Sequence, residues 1–372
     1  MKYKLGEICE IISGSTPKTG IPEYWDGTQK WITPAELNED TYIITDSIRK
    51  LTELGVEKAG LSSFPEGTVI LSSRAPIGKV AIAGCEMYCN QGFKNLICSE
   101  KINNHYLYWF LKGRTEYLNS LGRGATFKEI SKQIVSNIEI DVPPIEQQKR
   151  AVNQLEKANA IIRLRKQQLQ KLDELVKARF VEMFGDVIRN SKSWEIRVLA
   201  DIASSRLGKM LDTKQQTGEC SYPYLANFNV QWFRFNTENL NQMDFNEEDR
   251  IEFELQNGDL LVCEGGEIGR CAVWHNEIQP CFFQKALHRV RCNRQIVHPD
   301  YLGWWFKYNC DHDGFAAIAG AKATIAHLPG VKLKQLRVAI PPLELQEQFA
   351  AFVEQANKSK VTVQKALDEA QL

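Results

Sequence analysis

Apolar residues recur every seven positions through two long stretches of the chain that contain neither proline nor glycine. In the first stretch, residues 145–184, these positions are Leu155, Ile162, Leu169 and Val176. In the second, which begins at residue 343, they are Phe349, Ala356 and Val363. Heptad spacing predicts long helices with an apolar seam. Because neither helix can bury its seam alone, we expect the two helices to pack against each other.

The same phrase precedes both stretches: DVPPIEQQ at residues 141–148 and AIPPLELQ at 339–346. Proline at the first helical position and an acid in the first turn are both typical of a helix start. Upstream, residues 67–82 align without a gap on 258–273, and residues 105–112 align on 300–307. The chain therefore reads as a duplication, in which each copy is one domain followed by one helix.

Within each copy, short strand-like runs around turns precede a helix with an aromatic face, which predicts a mixed α/β domain. We expect two such domains, joined and spaced by two long helices that form an antiparallel coiled coil with pseudo-two-fold symmetry. Antiparallel packing is favoured because it carries the two domains to opposite ends of the rod. The predicted boundaries are 1–142 for domain one, 143–186 for the central helix, 187–340 for domain two and 341–372 for a shorter C-terminal helix.

Composition narrows the class of protein. The chain has 46 basic and 46 acidic residues, and its hydrophobic content of 43% is that of a globular protein. No apolar run approaches the length of a bilayer span, and the N-terminus lacks a signal-peptide core, so we expect a cytoplasmic protein without membrane contact. The ten cysteines include no CxxC pair, so we expect reduced thiols and no metal site.

Catalytic and nucleotide-binding signatures are missing from the sequence. It contains neither GxGxxG nor GxxxxGK[ST], and no HExxH, GxSxG or EF-hand loop. The proline pairs lack the flanking residues of an amino-methyltransferase motif, and no restriction-type nuclease centre is supported. We therefore predict a binding protein that is not an enzyme and carries no cofactor of its own.

Taken together, several segments resemble the DNA-specificity (S) subunits of type I restriction–modification enzymes. The segments are ISGSTPKTGIPEYWDG (12–27), SSRAPIGKVAI (72–82), GATFKEIS (124–131), VPPIEQQ (142–148) and FVEMFGD (180–186). The resemblance extends over essentially the whole chain, and the duplicated order of domain and helix is its most specific part.

The resemblance implies a non-catalytic subunit with two target-recognition domains, each reading one half of a gapped site in double-stranded DNA. It also implies that the helices dock two methylation subunits, and that restriction (motor–nuclease) subunits join through them. S-adenosylmethionine, ATP and magnesium would then belong to those partner subunits.

Sequence reading in DNA needs polar and basic side chains on loops near the grooves. The candidates in domain one are Thr16, Lys18, Lys30, Arg74, Lys79, Asn90, Gln91, Arg123, Thr126 and Lys128. The candidates in domain two are Arg206, Lys209, Asn227, Asn229, Arg270, Gln284, Lys285, His288 and Lys322. Two pairs, Gln91 with Gln284 and Lys79 with Arg270, are predicted to occupy matching positions in the two copies.

Two other readings remain open on the residues alone. A protein-only scaffold could use the same coiled coil to hold partner proteins, and the neutral net charge favours it. An enzyme, either a nuclease or a methyltransferase, ranks third because its motifs are missing. Salt-dependent binding to duplex DNA would separate the first two readings.

Overall fold

The computed structural model describes residues 1–124, 128–212, 216–315 and 327–371. These residues divide into two compact units, Met1–Arg163 and Leu164–Leu372, and one long helix runs from the first unit into the second. Two of the predicted DNA-binding residues, Thr126 and Lys322, lie outside the described residues.

The described residues of unit 1 form ten strands and the start of the long helix. The strands are β1 (Lys2–Lys4), β2 (Cys9–Ser13), β3 (Trp25–Ile32), β4 (Ile43–Ile44), β5 (Arg49–Leu51), β6 (Val69–Leu71), β7 (Val80–Ala83), β8 (Tyr88–Cys89), β9 (Lys94–Cys98) and β10 (Glu139–Asp141). The helices are α1 (Leu5–Ile8), α2 (Glu53–Lys58), α3 (Asn104–Lys112), α4 (Thr115–Ser120), α5 (Lys132–Ser136) and α6 (Ile145–Phe184).

The largest sheet of unit 1 separates two apolar clusters. Its strand order is β2-β9-β6-β7-β4, beside a three-stranded sheet β5-β3-β8 and the pair β1-β10. Successive side chains of a strand point to opposite faces. Val69 and Leu71 accordingly pack in one cluster together with Leu107 and Leu111 of α3, whereas Ile70 packs in the other. Burial on both faces explains why β6 reads as a continuous apolar run.

Unit 2 contains the rest of α6 and the second set of elements. Its strands are β11 (Glu195–Val198), β12 (Ala203–Leu207), β13 (Ser221–Leu225), β14 (Val230–Gln231), β15 (Arg234–Phe235), β16 (Asn241–Asp244), β17 (Leu260–Cys263), β18 (Cys271–Val273), β19 (Phe282–Phe283), β20 (Leu287–Cys292) and β21 (Arg337–Ile340). Its further helices are α7 (Leu199–Ile202), α8 (Glu247–Phe253), α9 (Pro299–Asp311), α10 (Gly330–Lys334) and α11 (Leu343–Gln371).

The strand orders confirm the duplication. The order β12-β20-β17-β18 in unit 2 repeats β2-β9-β6-β7, and β16-β13-β19 repeats β5-β3-β8. In both three-stranded sheets the central strand pairs antiparallel on one side and parallel on the other. The units differ at the edges of this framework. Unit 1 adds β4 beside β7, and unit 2 adds the hairpin β14-β15.

Within unit 2, the helices α6 and α11 pack antiparallel. The rings of Phe180 and Phe349 lie 5.4 Å apart, and Lys360 Nζ lies 2.5 Å from Asp173 Oδ1. Residue numbers therefore fall along α11 as they rise along α6, which confirms the predicted direction of packing. Of the predicted seam, Val176, Phe349 and Ala356 are buried, and Ile162, Leu169 and Val363 are partly exposed.

The predicted seam does not extend to Leu155, whose side chain is 43% exposed. The buried residues of this part of α6 in unit 1 are Gln148 and Val152. Gln148 and Val152 precede Leu155 by seven and three residues, so all three lie on the same face of the helix. Unit 1 therefore covers this face at the start of α6 and leaves it exposed at Leu155.

A buried glutamine fixes the start of each long helix, and this role was missed from the sequence. Gln148 Nε2 donates to the carbonyls of Lys101 (3.0 Å) and Pro143 (2.8 Å), and its Oε1 accepts from Asn103 N (2.8 Å). Gln346 makes the same three bonds, to Ile296 O (3.1 Å), Pro341 O (2.8 Å) and His298 N (2.9 Å). Both side chains are fully buried, so the repeated phrase encodes a joint between helix and domain.

Candidate nucleic-acid interface

In unit 1, most of the predicted DNA-binding residues fall on loops that meet at one place. We call this the unit 1 loop cluster; its segments are residues 14–18, 33–37, 73–79, 90–92 and 128–130. Backbone hydrogen bonds join them, from Ser15 N to Cys89 O (3.1 Å), from Ser73 N to Gly92 O (2.7 Å) and from Ile130 N to Ser73 O (3.0 Å). Loops that are far apart in sequence thus form one surface.

The unit 2 loop cluster is built from the corresponding segments, residues 208–210, 226–230, 264–270, 284–286 and 327–328. Its bonds run from Lys209 N to Phe283 O (3.1 Å), from Glu264 N to Ala286 O (3.0 Å) and from Leu328 N to Glu264 O (2.7 Å). Each bond repeats one in unit 1. The framework that positions the loops is therefore the same in both units.

One glycine in each cluster is required by the close approach of two backbone segments. A Cβ atom on Gly14 would lie 2.0 Å from Cys89 O, and one on Gly208 would lie 2.3 Å from Gln284 O. The stretches aligned in the sequence analysis did not include these two segments, so the shared glycine was missed. Its signal was present, since a glycine follows β2 and β12 directly.

Lys79 and Arg270 do occupy equivalent positions, and both point into their own cluster. Lys79 Nζ donates to Pro34 O (3.0 Å) and Leu37 O (2.5 Å). Arg270 Nη2 donates to the main-chain oxygen and to Oδ1 of Asn227, both at 3.1 Å. These cations therefore hold the turns at residues 34–36 and 227–229 in place.

The other predicted match is displaced by one residue. Asn90 N donates to Ile32 O and Gln284 N donates to Leu225 O, each at 3.0 Å. Asn90 is thus the equivalent of Gln284, and Gln91 is the equivalent of Lys285. The sequence alignment placed Gln91 opposite Gln284 because it matched residue type, whereas the hydrogen bonds set the register.

Two predicted residues of unit 2 lie inside the domain. Asn229 Oδ1 accepts from Ala226 N (2.9 Å) and closes the turn, as Glu36 does for Thr33 N (2.8 Å) in unit 1. His288 Nε2 donates to Leu328 O (2.9 Å), and burial lowers the pKa of its ring. Because both side chains are buried, neither is among the surface candidates.

The remaining candidates of unit 1 form a mostly exposed polar surface. Lys18, Gln91, Arg123 and Lys128 are exposed, and Thr16 donates to the Gln91 amide. Asn90 Oδ1 accepts from Gly92 N (2.9 Å). Lys30 Nζ, by contrast, is bonded to Thr45 O (2.7 Å).

A cleft of about 560 Å³ opens beside this surface in unit 1. Arg74, Pro76, Asn119, Lys128 and Glu129 are among the residues that line it. Arg74 lies 4.0 Å from Glu129 Oε2, a long and half-exposed ion pair that is worth little. Arg74 and Lys128 can therefore contact an anionic ligand without breaking a strong ion pair.

In unit 2, two bases at other positions are paired with acids of α8. Arg206 Nη2 lies 2.5 Å from Glu252 Oε1, and Lys209 Nζ lies 2.5 Å from Asp249 Oδ2. The acidic run around residues 238–254 thus neutralises part of this loop cluster. Lys285 is exposed, and Gln284 is partly exposed. Arg206, Lys209 and Lys285 border a cleft of about 720 Å³.

Comparison with known proteins gives the family. The description "Type I restriction modification DNA specificity domain" matches residues 1–174 and again residues 191–370. The chain belongs to this family. The two matched ranges follow the duplication, and each takes in one domain with most of one long helix.

Curated proteins agree with this assignment. The chain is similar to the type I restriction enzyme MjaIX specificity subunit of Methanocaldococcus jannaschii, with 36% identity over 223 residues, 55% of this chain and 52% of that protein. It is also similar to the EcoR124I/EcoR124II specificity subunit of Escherichia coli, with 27% identity over 164 residues, 42% of this chain and 40% of that protein. The chain thus spans about half the length, or less, of these relatives.

Solved structures of the family share the fold. The type I restriction–modification S subunit from M. genitalium matches all of this chain and 92% of its own, with a TM-score of 0.59 and 14% identity. A chain from a study of complex assembly and conformational transition of the type I R-M system matches 99% of this chain and 93% of its own, with a TM-score of 0.63 and 17% identity. These matches confirm the predicted fold class.

The described residues contain neither a membrane-spanning helix nor a cluster of metal-ligating side chains. No helix among them is both long and apolar enough to cross a bilayer. Nowhere in the same ranges do three or more His, Cys, Asp or Glu side chains gather in a way that could hold a metal ion.

Proposed function

We propose that this chain is the sequence-specific DNA-binding subunit of a type I restriction–modification complex. The observation that carries the proposal is the pair of loop clusters, held by the same backbone bonds but exposing different side chains. A constant framework with variable outward groups suits two readers of different half-sites. Together the two clusters would read a bipartite, gapped site in double-stranded DNA.

The rest of the complex follows from the family. The helices dock two methylation subunits, and restriction subunits join through these. Exposed apolar side chains on α6 support a docking role, since a helix in water gains nothing by exposing them; they are Leu155, Ile161, Leu164, Leu175 and Val181. In this proposal the chain is non-catalytic and cytoplasmic. S-adenosylmethionine, ATP and magnesium bind the partner subunits.

Exchange of one domain tests the proposal. We would replace residues 1–142 by the corresponding domain of a related subunit with a different specificity, co-express each chain with its methylation subunits and map the methylated sites. One half of the recognised site should change, while the other half and the function of the complex persist. If both halves changed, or no site were methylated by either chain, the proposal would be wrong.

A salt titration distinguishes the protein-only scaffold. A chain that contacts phosphates loses affinity for random duplex steeply as salt rises, because it releases condensed counterions on binding. A scaffold that binds only proteins would give no measurable complex with the duplex at low salt. Methyl transfer by the rigorously purified chain alone would instead favour an enzyme.

A further inference from the structure

One large apolar side chain stands exposed within the unit 2 loop cluster. Phe228 is the middle residue of the turn Asn227–Asn229, and 58% of its surface is accessible. Three other phenylalanines of this domain, Phe245, Phe282 and Phe283, are at most 1% exposed. Leaving an aromatic ring of this size in water forgoes a large burial free energy, so its position calls for a partner.

The turn that carries Phe228 is held on both sides. On one side, Asn227 Nδ2 donates to Gly265 O (3.0 Å), and Arg270 donates to Asn227. On the other, Asn229 Nδ2 donates to Asn236 O (3.0 Å) and Gln231 Nε2 donates to Phe228 O (3.2 Å). With both neighbours fixed, the ring is presented outward by a rigid support, which lowers the entropy lost on binding.

Unit 1 offers an internal comparison. Its turn Pro34–Glu36 is closed by the same bond pattern and is held by Lys79, but its middle residue is Ala35, which is exposed. The support is therefore common to both units, and only unit 2 places a large apolar group on it. A side chain that differs at a fixed position is where a difference in specificity can arise.

We infer that Phe228 is a specificity-determining residue that contacts the C5-methyl group of a thymine in the half-site of unit 2. The inference rests on the proposed function. Base edges in the major groove present hydrogen-bond donors and acceptors and one apolar group, the thymine methyl. An apolar ring among polar loops is matched by that group and by none of the others. Cytosine at the same position would leave the ring without its contact.

The test uses the complex with its methylation subunits and a duplex carrying its mapped site. Each thymine of the unit 2 half-site is replaced in turn by deoxyuridine, which lacks only the methyl group. At one position the wild-type complex should lose about three- to fivefold in affinity, as expected for one buried methyl. Phe228→Ala should bind with that loss already present and should not respond to deoxyuridine. Phe228→Leu should keep part of the response.

Ile251→Ala is the matched control, since Ile251 is an exposed apolar residue of α8 (88% accessible) in the same unit; it should retain the wild-type response. The inference is overturned if Phe228→Ala keeps the response to deoxyuridine, or if the half-site contains no thymine. It is also overturned if Phe228→Ala weakens binding to the thymine and the deoxyuridine duplex equally, as the loss of a wedge between bases would. Failure of the wild-type complex to bind any specific duplex would instead overturn the proposed function.

Discussion

The two units share their backbone hydrogen bonds and differ in their exposed side chains. Gln148 and Gln346 make the same three hydrogen bonds, and Lys79 and Arg270 hold corresponding turns. A side chain whose partner is a backbone carbonyl keeps its role even when its neighbours change, because every residue supplies that carbonyl. Positions with backbone partners therefore define the framework, and outward positions are free to diverge.

The two units also differ in how their basic side chains are paired. Lys18, Arg123 and Lys128 of unit 1 are exposed, whereas Arg206 and Lys209 of unit 2 are paired with acids of α8. Opposite charges in contact reduce the field available to an anionic partner. Unit 1 should thus contribute more of any attraction to phosphates, and unit 2 more of the contacts that depend on shape and apolar fit.

The largest effect should follow from breaking the shared joint. Gln148→Glu or Gln346→Glu sets a carboxylate against two backbone carbonyls and removes both donors, so each should cost about 3–5 kcal/mol of local stability. Hydrogen exchange should rise over residues 145–152 in the first variant and over 343–350 in the second. The exposed neighbours provide matched controls, Gln147→Glu and Gln348→Glu, which should leave exchange unchanged. Unchanged exchange at the helix start in either Glu variant would contradict the role of the buried glutamine in holding that start.

Removing the cation behind each turn should have the next largest effect. In Lys79→Met and Arg270→Met, two bonds to the turn are lost while most of the side-chain volume remains. Hydrogen exchange should accelerate about ten- to a hundredfold, over residues 33–37 in the first and 226–230 in the second. Lys128→Met, on an exposed base, is the control. If both turns kept their wild-type exchange, Lys79 and Arg270 would not be positioning residues.

Removing the acids that pair with Lys209 and Arg206 should make the basic side chains of unit 2 as available to phosphates as those of unit 1. The double variant Asp249→Asn, Glu252→Gln frees Lys209 and Arg206 for phosphates. Affinity for random duplex at low salt should rise severalfold, and the slope of log affinity against log salt should steepen by up to about 1.8. The control Glu53→Gln, Glu57→Gln makes the same change of net charge on α2 of unit 1. An equal gain in both variants would mean that net charge alone, rather than these two pairs, sets the affinity.

The smallest effect concerns pH. Burial lowers the pKa of His288, whereas in the unfolded chain its pKa is about 6.5. Below pH 6.5 the unfolded state therefore takes up a proton that the folded state does not, so this contribution to stability is complete above that pH and is lost as the pH falls. Exchange over residues 287–292, corrected for intrinsic rates, should rise a few fold between pH 7 and 5.5.

His288→Gln, which keeps a donor for Leu328 O and does not titrate, should abolish this rise. Residues 94–98 of unit 1 are an internal control, because Lys94 occupies the equivalent position there and is paired with Glu129 (3.1 Å). A rise of the same size in the Gln variant would assign the pH dependence to other groups.

Periodicity and repetition were enough to predict the architecture. The heptads of α6 and α11 and the repeated proline phrases predicted two long helices, because helix formation depends on residues close in sequence. The duplicated domain followed from the aligned segments, and the antiparallel packing followed from placing the two domains at opposite ends of the rod. Leu155 shows the limit of this reasoning. A heptad position is buried only where a partner covers it, and the pattern does not state how far the partner extends.

The loop clusters were harder to predict because their contacts join distant segments. Lys79 and Arg270 have the residue type of a DNA contact, and only the positions of Pro34 and Asn227 show that they bond inward. His288 was chosen for its chemistry but is buried. Neither its sequence neighbours nor its charge indicate the strands that cover it. Phe228 was not among the candidates, because these were selected as polar and basic side chains. The outward residues of the loops, from Lys18 to Lys285, stay predictions.

The buried glutamine at the start of each long helix also bears on how such a chain can be rearranged. Its three bonds go to main-chain atoms only, so the joint is indifferent to the sequence of the domain it closes. Any domain that presents two carbonyls and one backbone N–H to this glutamine can be joined to the same helix. A recombination event that falls within the proline phrase would therefore join a new domain to the helix with these three hydrogen bonds intact.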